Sequence, residues 1–440
     1  MSSVADAKKV AFDYIDAHRQ DMVDWLCKLI DFKSTAGAYA EGGEELEIQQ
    51  WLRDEVQQWQ IFSNIDYWFV DSDQKRPNLV GVLGNLETNK HNLILNAHVD
   101  VVPVTVDEQG RWNTDPWKGT VKGDRIFGRG ACDDKGGVTA IMWAARSIAE
   151  SAVQIKNHLI VEAVMGEEQA QGIGSIAAVN RGYTAPFAVV AEPTDLEIKV
   201  ATVGNFDFKL TVVGKEIHTG MRNRILYPQR HGLASGAEVG VDAIEKMFKF
   251  TTAFRDLEKQ WTFRWRHDLF DDPMAVSGLG PYTINVTQIR GGTYLGAVPG
   301  QCEITGEVYY PSWVKGEEII SEMQSIVDHI TLTDDWLKKN PPKLEAPRTF
   351  HQPGYEINRD HAGCNVIATA FRDVTGLSPR IAAFQASGDW NFIGNLGIPV
   401  VVFGPEFQGA HGPNENISID ALVKVCKTLA ATTIEWCGVE

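Results

Sequence analysis

The sequence predicts an α/β protein: a mixed-sheet α/β/α domain interrupted by a smaller α+β insertion of two layers. Three observations predict it. Up to about residue 200, short apolar runs of β-type composition alternate with segments of helical period. From about Ala201 the order becomes strand, helix, two strands, helix, which fits an antiparallel sheet under two helices. Past about residue 346 the alternating pattern resumes. The larger domain is therefore expected over 1–202 and 346–440, with the insertion over 203–345. A chain of 440 residues also exceeds what one simple core usually serves.

The elements follow in order. Val4 to Ile30 has helical periodicity, with Val10, Tyr14, Met22, Trp25, Leu26 and Leu29 on one face. Ser34–Gly43 is a small-residue loop, and Glu44–Trp59 is a second amphipathic helix. Ile65–Val70, Leu79–Leu83 and Leu93–Ala97 are strands bounded by Asp, Asn and Gly. A helix is expected from Val138 to about Glu150, a strand at Leu159–Met165, a helix near Ile173–Asn180 and a strand at Phe187–Ala191. In the insertion, Phe206–Val213, Tyr282–Ile289 and Cys302–Tyr310 read as strands, and Glu238–Phe248 and Glu317–His329 as helices. Trp261, Phe263 and Trp265 alternate like a half-buried strand that packs or meets another subunit. A helix near Asn365–Asp373, a strand near Pro399–Phe403 and a helix near Ile419–Trp436 complete the chain.

Bulk composition excludes several classes. With 44% apolar and 22% charged residues the chain is ordinarily globular. A net charge of -17 argues against nucleic acid and anionic membrane as partners. No apolar run reaches membrane-spanning length, and the N-terminus lacks a signal-peptide layout. The six cysteines (Cys27, Cys132, Cys302, Cys364, Cys426 and Cys437) are scattered singly, without metal-site spacing or a disulfide framework. The cytoplasm is the expected compartment.

Chemistry concentrates around Ile126–Gly137, where Asp133 and Asp134 sit among glycines before a helix. Glycine lets a chain pass close to a charged group, and a carboxylate on such a turn suits a metal bridge. Four further places carry acids or histidines, and all five are read as strand ends, where open α/β sheets put their sites. In Leu93–Asp100, residues 98 and 100 point the same way, so His98 can bind metal while Asp100 holds its other ring nitrogen. Glu167 and Glu168 follow a strand, and adjacent glutamates there can split ligand and general-base roles. Glu192 follows the next strand, and His411 lies in Gly409–Glu415. Singly, each has an ordinary reading as turn, strand end or solvated loop. Together they form a two-histidine, three-carboxylate set suited to zinc, manganese or cobalt.

These motifs resemble the di-zinc hydrolases that include aminoacylases, carboxypeptidase G, succinyl-diaminopimelate desuccinylase and acetylornithine deacetylase. The resemblance runs through His98-Val-Asp100, Gly130–Gly136, Gly166-Glu-Glu168, Glu192-Pro-Thr and His411-Gly-Pro, across nearly the whole chain. It implies two divalent ions: His98 and Glu192 on one, Glu168 and His411 on the other, Asp133 bridging. It implies Asp100 as the residue orienting His98, Glu167 as general base and a cis peptide at Asp133–Asp134. The insertion becomes a lid and dimerisation domain, whose His218 in Lys215–Gly220 would stabilise an oxyanion in the partner subunit of a homodimer or larger assembly. The implied reaction is hydrolysis of an amide-type C–N bond in a small molecule, peptidase-like or on an N-acyl-amino acid.

The sequence departs from that pattern where such relatives carry a carboxylate-binding arginine. Here Glu307-Val-Tyr-Tyr-Pro311 puts Tyr309 in its place, and Gly388 and Asp389 stand in the substrate loop 386–390. A phenol lacks the permanent charge and fork of a guanidinium. Tyr309 and Trp390 suit an aromatic or less anionic group. Arg222, Arg224 and Arg230 are possible replacement cations, with solvated loop residues as the ordinary reading. The alternatives are non-peptide C–N hydrolysis (an acylurea, a xenobiotic amide, an aromatic amine) or a catalytically inactive binding relative. Cys132 reads as a small buried filler.

Overall fold

The runs Leu93–His98, Leu159–Val164 and Phe187–Val190 are buried along their whole length, as strands covered on both faces are. In the computed structural model they form the centre of a nine-stranded sheet; the described residues are 3–37, 43–84, 91–169, 172–227, 232–271 and 282–440. The strand order is Asn64–Phe69, Pro77–Leu83, Leu159–Val164, Leu93–His98, Phe187–Val190, Val400–Val402, Ile198–Thr202, Tyr355–Glu356, with Ile381–Phe384 also paired to Ile198–Thr202. The sheet is mixed. Leu93–His98 runs parallel to both neighbours, whereas the Asn64–Phe69 edge is antiparallel. Ile94, Ile160, Val190, Val400 and Val402 pack with Trp390 and Ile393 on one face. Helices Lys135–Glu150 and Ile419–Cys437 cover the other.

The chain divides into two compact units, Met1–Ala201 with Tyr355–Glu440, and Thr202–Gly354. In the second unit Thr283–Gly291, Gln301–Tyr310, Gly204–Val213 and Lys343–Glu345 form an antiparallel sheet, with His351–Gln352 also on Gly204–Val213. Alternate residues Phe206, Phe208, Leu210 and Val212 pack against Met247, Phe250, Phe254 and Trp261 of helix Ala243–Arg264 and Ile319, Met323 and Val327 of helix Gly316–Leu332. That is the two-layer arrangement its pattern predicts.

Several local readings are corrected. The first helix is two, Val4–Ala17 and Arg19–Ile30, broken at His18. The break shifts the buried face to Ala7, Ala11 and Ile15, leaving Val10 41% exposed. Trp261, Phe263 and Trp265 do not make a strand. The helix runs through Arg264, so Trp261 stacks on Trp265 at 5.1 Å, one turn on, and Phe263 is 86% exposed. The helix at residue 138 begins earlier, at Lys135, and takes in both glycines. A small antiparallel sheet of Thr120–Lys122, Arg125–Phe127 and Asn416–Ser418 is absent from the sequence reading. It ties the chain after His411 to the chain before Asp133. Arg230 and most of the loop at 38–43 lie outside the described residues.

Candidate metal centre

The sheet delivers three of the five groups from strand ends: His98 closes Leu93–His98, Glu167 and Glu168 follow Leu159–Val164, and Glu192 follows Phe187–Val190. The other two are not at strand ends. Asp133 lies just ahead of helix Lys135–Glu150, and His411 sits in the loop beyond Val400–Val402. The Asp133–Asp134 peptide is cis, and His411 has φ of 60°, a left-handed conformation rare outside glycine.

All five groups converge. His98 Nε2 lies 3.2 Å from Asp133 Oδ1 and 3.2 Å from Glu192 Oε1. His411 Nε2 lies 3.3 Å from Asp133 Oδ2 and 3.0 Å from Glu168 Oε2. Asp133 thus faces one histidine with each oxygen. Potential ligand atoms of His98, Asp133 and Glu168, and of His98, Asp134 and Glu192, all approach one another within 4.8 Å. Asp134 is the weaker member, since its Oδ2 accepts the His98 backbone N–H at 3.2 Å.

Electrostatics favour a cation here. Six carboxyls (Asp100, Asp133, Asp134, Glu167, Glu168 and Glu192) crowd two imidazoles, and Glu168 Oε1 is buried without a hydrogen-bond partner. Buried acids in such number are costly unless paired or bound to metal. Burial pushes Glu168 up to about 7, helped by the Asp133 charge. It pushes Glu192 up to about 7 against the pull of His98. Glu167 is raised well above the carboxylate range, first by burial. The hydrogen bonds to Asp133 and Glu168 hold His411 at about 11. For His98, burial lowers the value but Glu192, Asp100 and Asp133 outweigh it. Hard and borderline donors, an unsatisfied oxygen and excess negative charge all fit divalent ions.

The groups around the ligands are fixed in their turn. His98 Nδ1 is held by the backbone carbonyl of Asp100 at 2.9 Å, while the Asp100 carboxyl stands at 3.6 Å from it. That carboxyl instead accepts the N–H groups of Gly166, Glu167 and Glu168 at 2.8, 3.2 and 3.0 Å. Asp100 therefore orients His98 through its main chain and the Glu167–Glu168 turn through its side chain. Arg76, paired with buried Glu45, also braces this turn by donating to Gln169 Oε1 at 2.7 Å.

Glu415, within the quoted motif but given no role from sequence, is the principal omission. It is fully buried. Its carboxylate accepts from Gly130, Cys132 and Asp133 N–H at 3.0, 3.1 and 3.1 Å and from Arg129 at 2.8 Å. Arg129 in turn donates to Glu108 at 2.6 Å. The His411 loop thus clamps the Asp133 turn. A polar residue four places after a loop histidine carries no periodic signal that would have revealed this.

Other expected residues are placed as follows. Gly388 lies against Glu167: a Cβ there would overlap Glu167 Oε1. Asp389 is buried, with Oδ2 accepting from Ser175 at 2.6 Å and Oδ1 without a hydrogen-bond partner. Trp390 is a core residue, 3% exposed and stacked on Phe384, so it presents no open face to a ligand. In the other unit, His218 is exposed and its Nδ1 accepts from Gly220 N–H at 3.0 Å. Tyr309 donates to Glu307 Oε2 at 3.3 Å. Arg222 is paired with Asp242 and Glu245, and Arg224 donates to the Ala234 carbonyl. Cys132 is buried and its thiol is raised by that burial, consistent with a filler role.

Comparison with known proteins agrees in scope. The sequence pattern of peptidase family M20/M25/M40 matches residues 94–435. N-formyl-4-amino-5-aminomethyl-2-methylpyrimidine deformylase of Bacillus subtilis (strain 168) is 28% identical over 438 residues, 96% of either chain. Acetylornithine deacetylase of Proteus mirabilis (strain HI4320) is 26% identical over 357 residues, covering 80% of this chain and 81% of that one. Among solved structures, the dipeptidase Dug1p from Saccharomyces cerevisiae has a TM-score of 0.73 at 14% identity over 98% of both chains, a likeness of fold.

Proposed function

The chain belongs to peptidase family M20/M25/M40, metal-dependent hydrolases of amide-type C–N bonds, and from that premise we propose that it releases a small acyl group from an amine that carries no carboxylate. The observation that carries the two-ion reading is Asp133, whose two oxygens face His98 and His411 at 3.2 and 3.3 Å. His98 and Glu192 would hold one ion, Glu168 and His411 the other. Zinc is the first choice, with manganese or cobalt as alternatives. Divalent ions held there would supply acidification of a water and polarisation of the scissile carbonyl.

The remaining work falls to side chains. Glu167 takes the water's proton and delivers it to the leaving nitrogen, a task suited to a carboxyl raised by burial. Asp100 keeps His98 and the Glu167–Glu168 turn in register. Tyr309 and Gly388 are the proposed substrate contacts, while Asp389, only 1% exposed and held by Ser175, supports the loop from within. The absence of a carboxylate from the substrate is supported by the Tyr309–Glu307 pair and by the engagement of Arg222 and Arg224 with other groups. The name of the Bacillus subtilis relative, an N-formyl aminopyrimidine deformylase, points the same way. An N-acyl-amino acid or peptide is the second reading, motivated by the acetylornithine deacetylase match.

His218 is proposed to act across a dimer formed by the residue 203–345 lid domain. Its oxyanion role comes from the family resemblance. The unpaired state of all six cysteines supports a cytoplasmic location. Among the described residues no helix is long and apolar enough to cross a membrane.

The test is a panel on protein reconstituted with zinc, manganese or cobalt. N-formylated aminomethylpyrimidine, N-formylbenzylamine, N-acetylornithine and dipeptides would be compared. Faster turnover of the first two is expected, and faster turnover of the carboxylate-bearing set would reverse the substrate assignment. Glu167→Gln should lose about 100-fold or more in kcat while both ions stay bound.

A further inference from the structure

Asn96 and Glu162 are register partners on the two parallel strands that lead to His98 and to the Glu167–Glu168 turn. Both are buried. The Asn96 amide donates to Glu162 Oε2 and to Ser175 Oγ, each at 2.9 Å. Ser175, in the first turn of helix Ile173–Asn180, donates to Asp389 Oδ2 at 2.6 Å. Asp389 opens helix Asp389–Asn395, and the residue before it is Gly388.

Gly388 is where this line of polar groups meets the chemistry. A Cβ on it would overlap Glu167 Oε1, so the Glu167 carboxyl rests directly on this stretch of backbone. Its φ of -169° is ordinary extended backbone, so space rather than conformation requires glycine. The Gly388 N–H is held by Asn391 Oδ1 at 3.1 Å. Four buried polar side chains therefore run from the middle of the sheet to the surface on which Glu167 leans. Apolar residues would fill this volume without the desolvation cost. The hydrogen bonds among them instead fix a distance and an orientation, even though Asn96 Oδ1, Glu162 Oε1 and Asp389 Oδ1 have no partner.

The geometry assigns Asn96, Ser175 and Asp389 as positioning residues for Glu167: through hydrogen bonds they hold Gly388 against its carboxyl. This rests on Glu167 being the general base. It goes beyond that reading by adding three residues that touch neither ion nor water. Small displacements matter there, since about 1 Å of misplacement can cost roughly 100-fold in rate.

The test uses Ser175→Ala, Asp389→Ala and the isosteric Asp389→Asn in the zinc-loaded protein. Readouts are kcat and KM on the best-cleaved amide of the panel, bound zinc, thermal midpoint, and a crystal structure of each variant. The alanine variants should lose about 10- to 100-fold in kcat, with KM within about twofold and both ions retained. Asp389→Asn keeps an acceptor for Ser175 and should lose less. The double alanine variant should fall no further than the worse single one, as expected for one strut. In the crystals the Glu167 carboxyl should leave Gly388 by about 1 Å. Wild-type kcat in folded, loaded alanine variants, or an unmoved Glu167, would overturn the proposal. Glu167→Gln separates the two ideas. If that variant still turns over, the base assignment fails, and the position of Glu167 in the crystals still decides the strut.

Discussion

Without metal, the cluster around Asp133 stores protons. His411 is held at about 11 by Asp133 and Glu168, and His98 is raised above its ordinary value despite burial. Glu168 and Glu192 stand at about 7, chiefly through burial. At neutral pH His411 is therefore protonated and both glutamates partly so. An ion requires all four bare. Metal loading should then release protons, and affinity should rise with pH from about 6, first as the glutamates ionise and onward toward about 11 because His411 must give up its proton. Calorimetry at pH 7 in buffers of different ionisation enthalpy measures this directly; roughly two protons or more per protein are expected, and none released contradicts the protonation assigned to His411 and the glutamates. The five candidate ligands, which the structure brings together, were legible in the sequence because each sits in a local frame, a strand end or a glycine turn. Their anchors were not. Glu415 meets the Asp133 amide across 282 residues and Ser175 meets Asp389 across 214. No local period encodes such a partner.

At the scale of elements, the start of helix Lys135–Glu150 carries the most consequence. Its first turn holds Gly136 and Gly137, residues that disfavour helix and that read from sequence as the end of a turn. Their presence inside the helix has a packing cause. A Cβ on Gly137 would overlap the Asp134 side chain and the Ala191 carbonyl, and Ala191 precedes Glu192. The helix thus approaches the Phe187–Val190 strand as closely as backbone allows, which brings Asp133 and Glu192 onto one site. Gly137→Ala should destabilise the protein by about 1–3 kcal/mol and weaken zinc binding, measured by urea denaturation and competitive chelation. Unchanged affinity would show that the close approach does not set the ligand geometry. Long elements were legible for ordinary reasons of period, as with Leu46–Trp59 and Ile419–Cys437. Three-residue strands such as Thr120–Lys122 and Arg125–Phe127 were not, because three residues show no period and pairing alone defines them.

For the whole molecule, the proposed dimer makes the sharpest prediction. Glu167→Ala should lack the base in its own site, and His218→Ala should lack the donor it lends to its partner. Mixed dimers would then contain one complete site. Mixing the two inactive variants under exchange should restore about a quarter of wild-type activity, as random C2 pairing requires. No recovery, with exchange verified by mass, would place His218 outside the reaction. The division of the chain matters in another way. The Asp133 turn belongs to the early part, whereas Glu415 and His411 come after the whole of Thr202–Gly354. During synthesis, then, the amides of Gly130, Cys132 and Asp133 have no clamp until Glu415 has left the ribosome, well after Thr202–Gly354. The nascent protein thus carries the Asp133 carboxylate long before His411 and Glu415 exist to complete the proposed site.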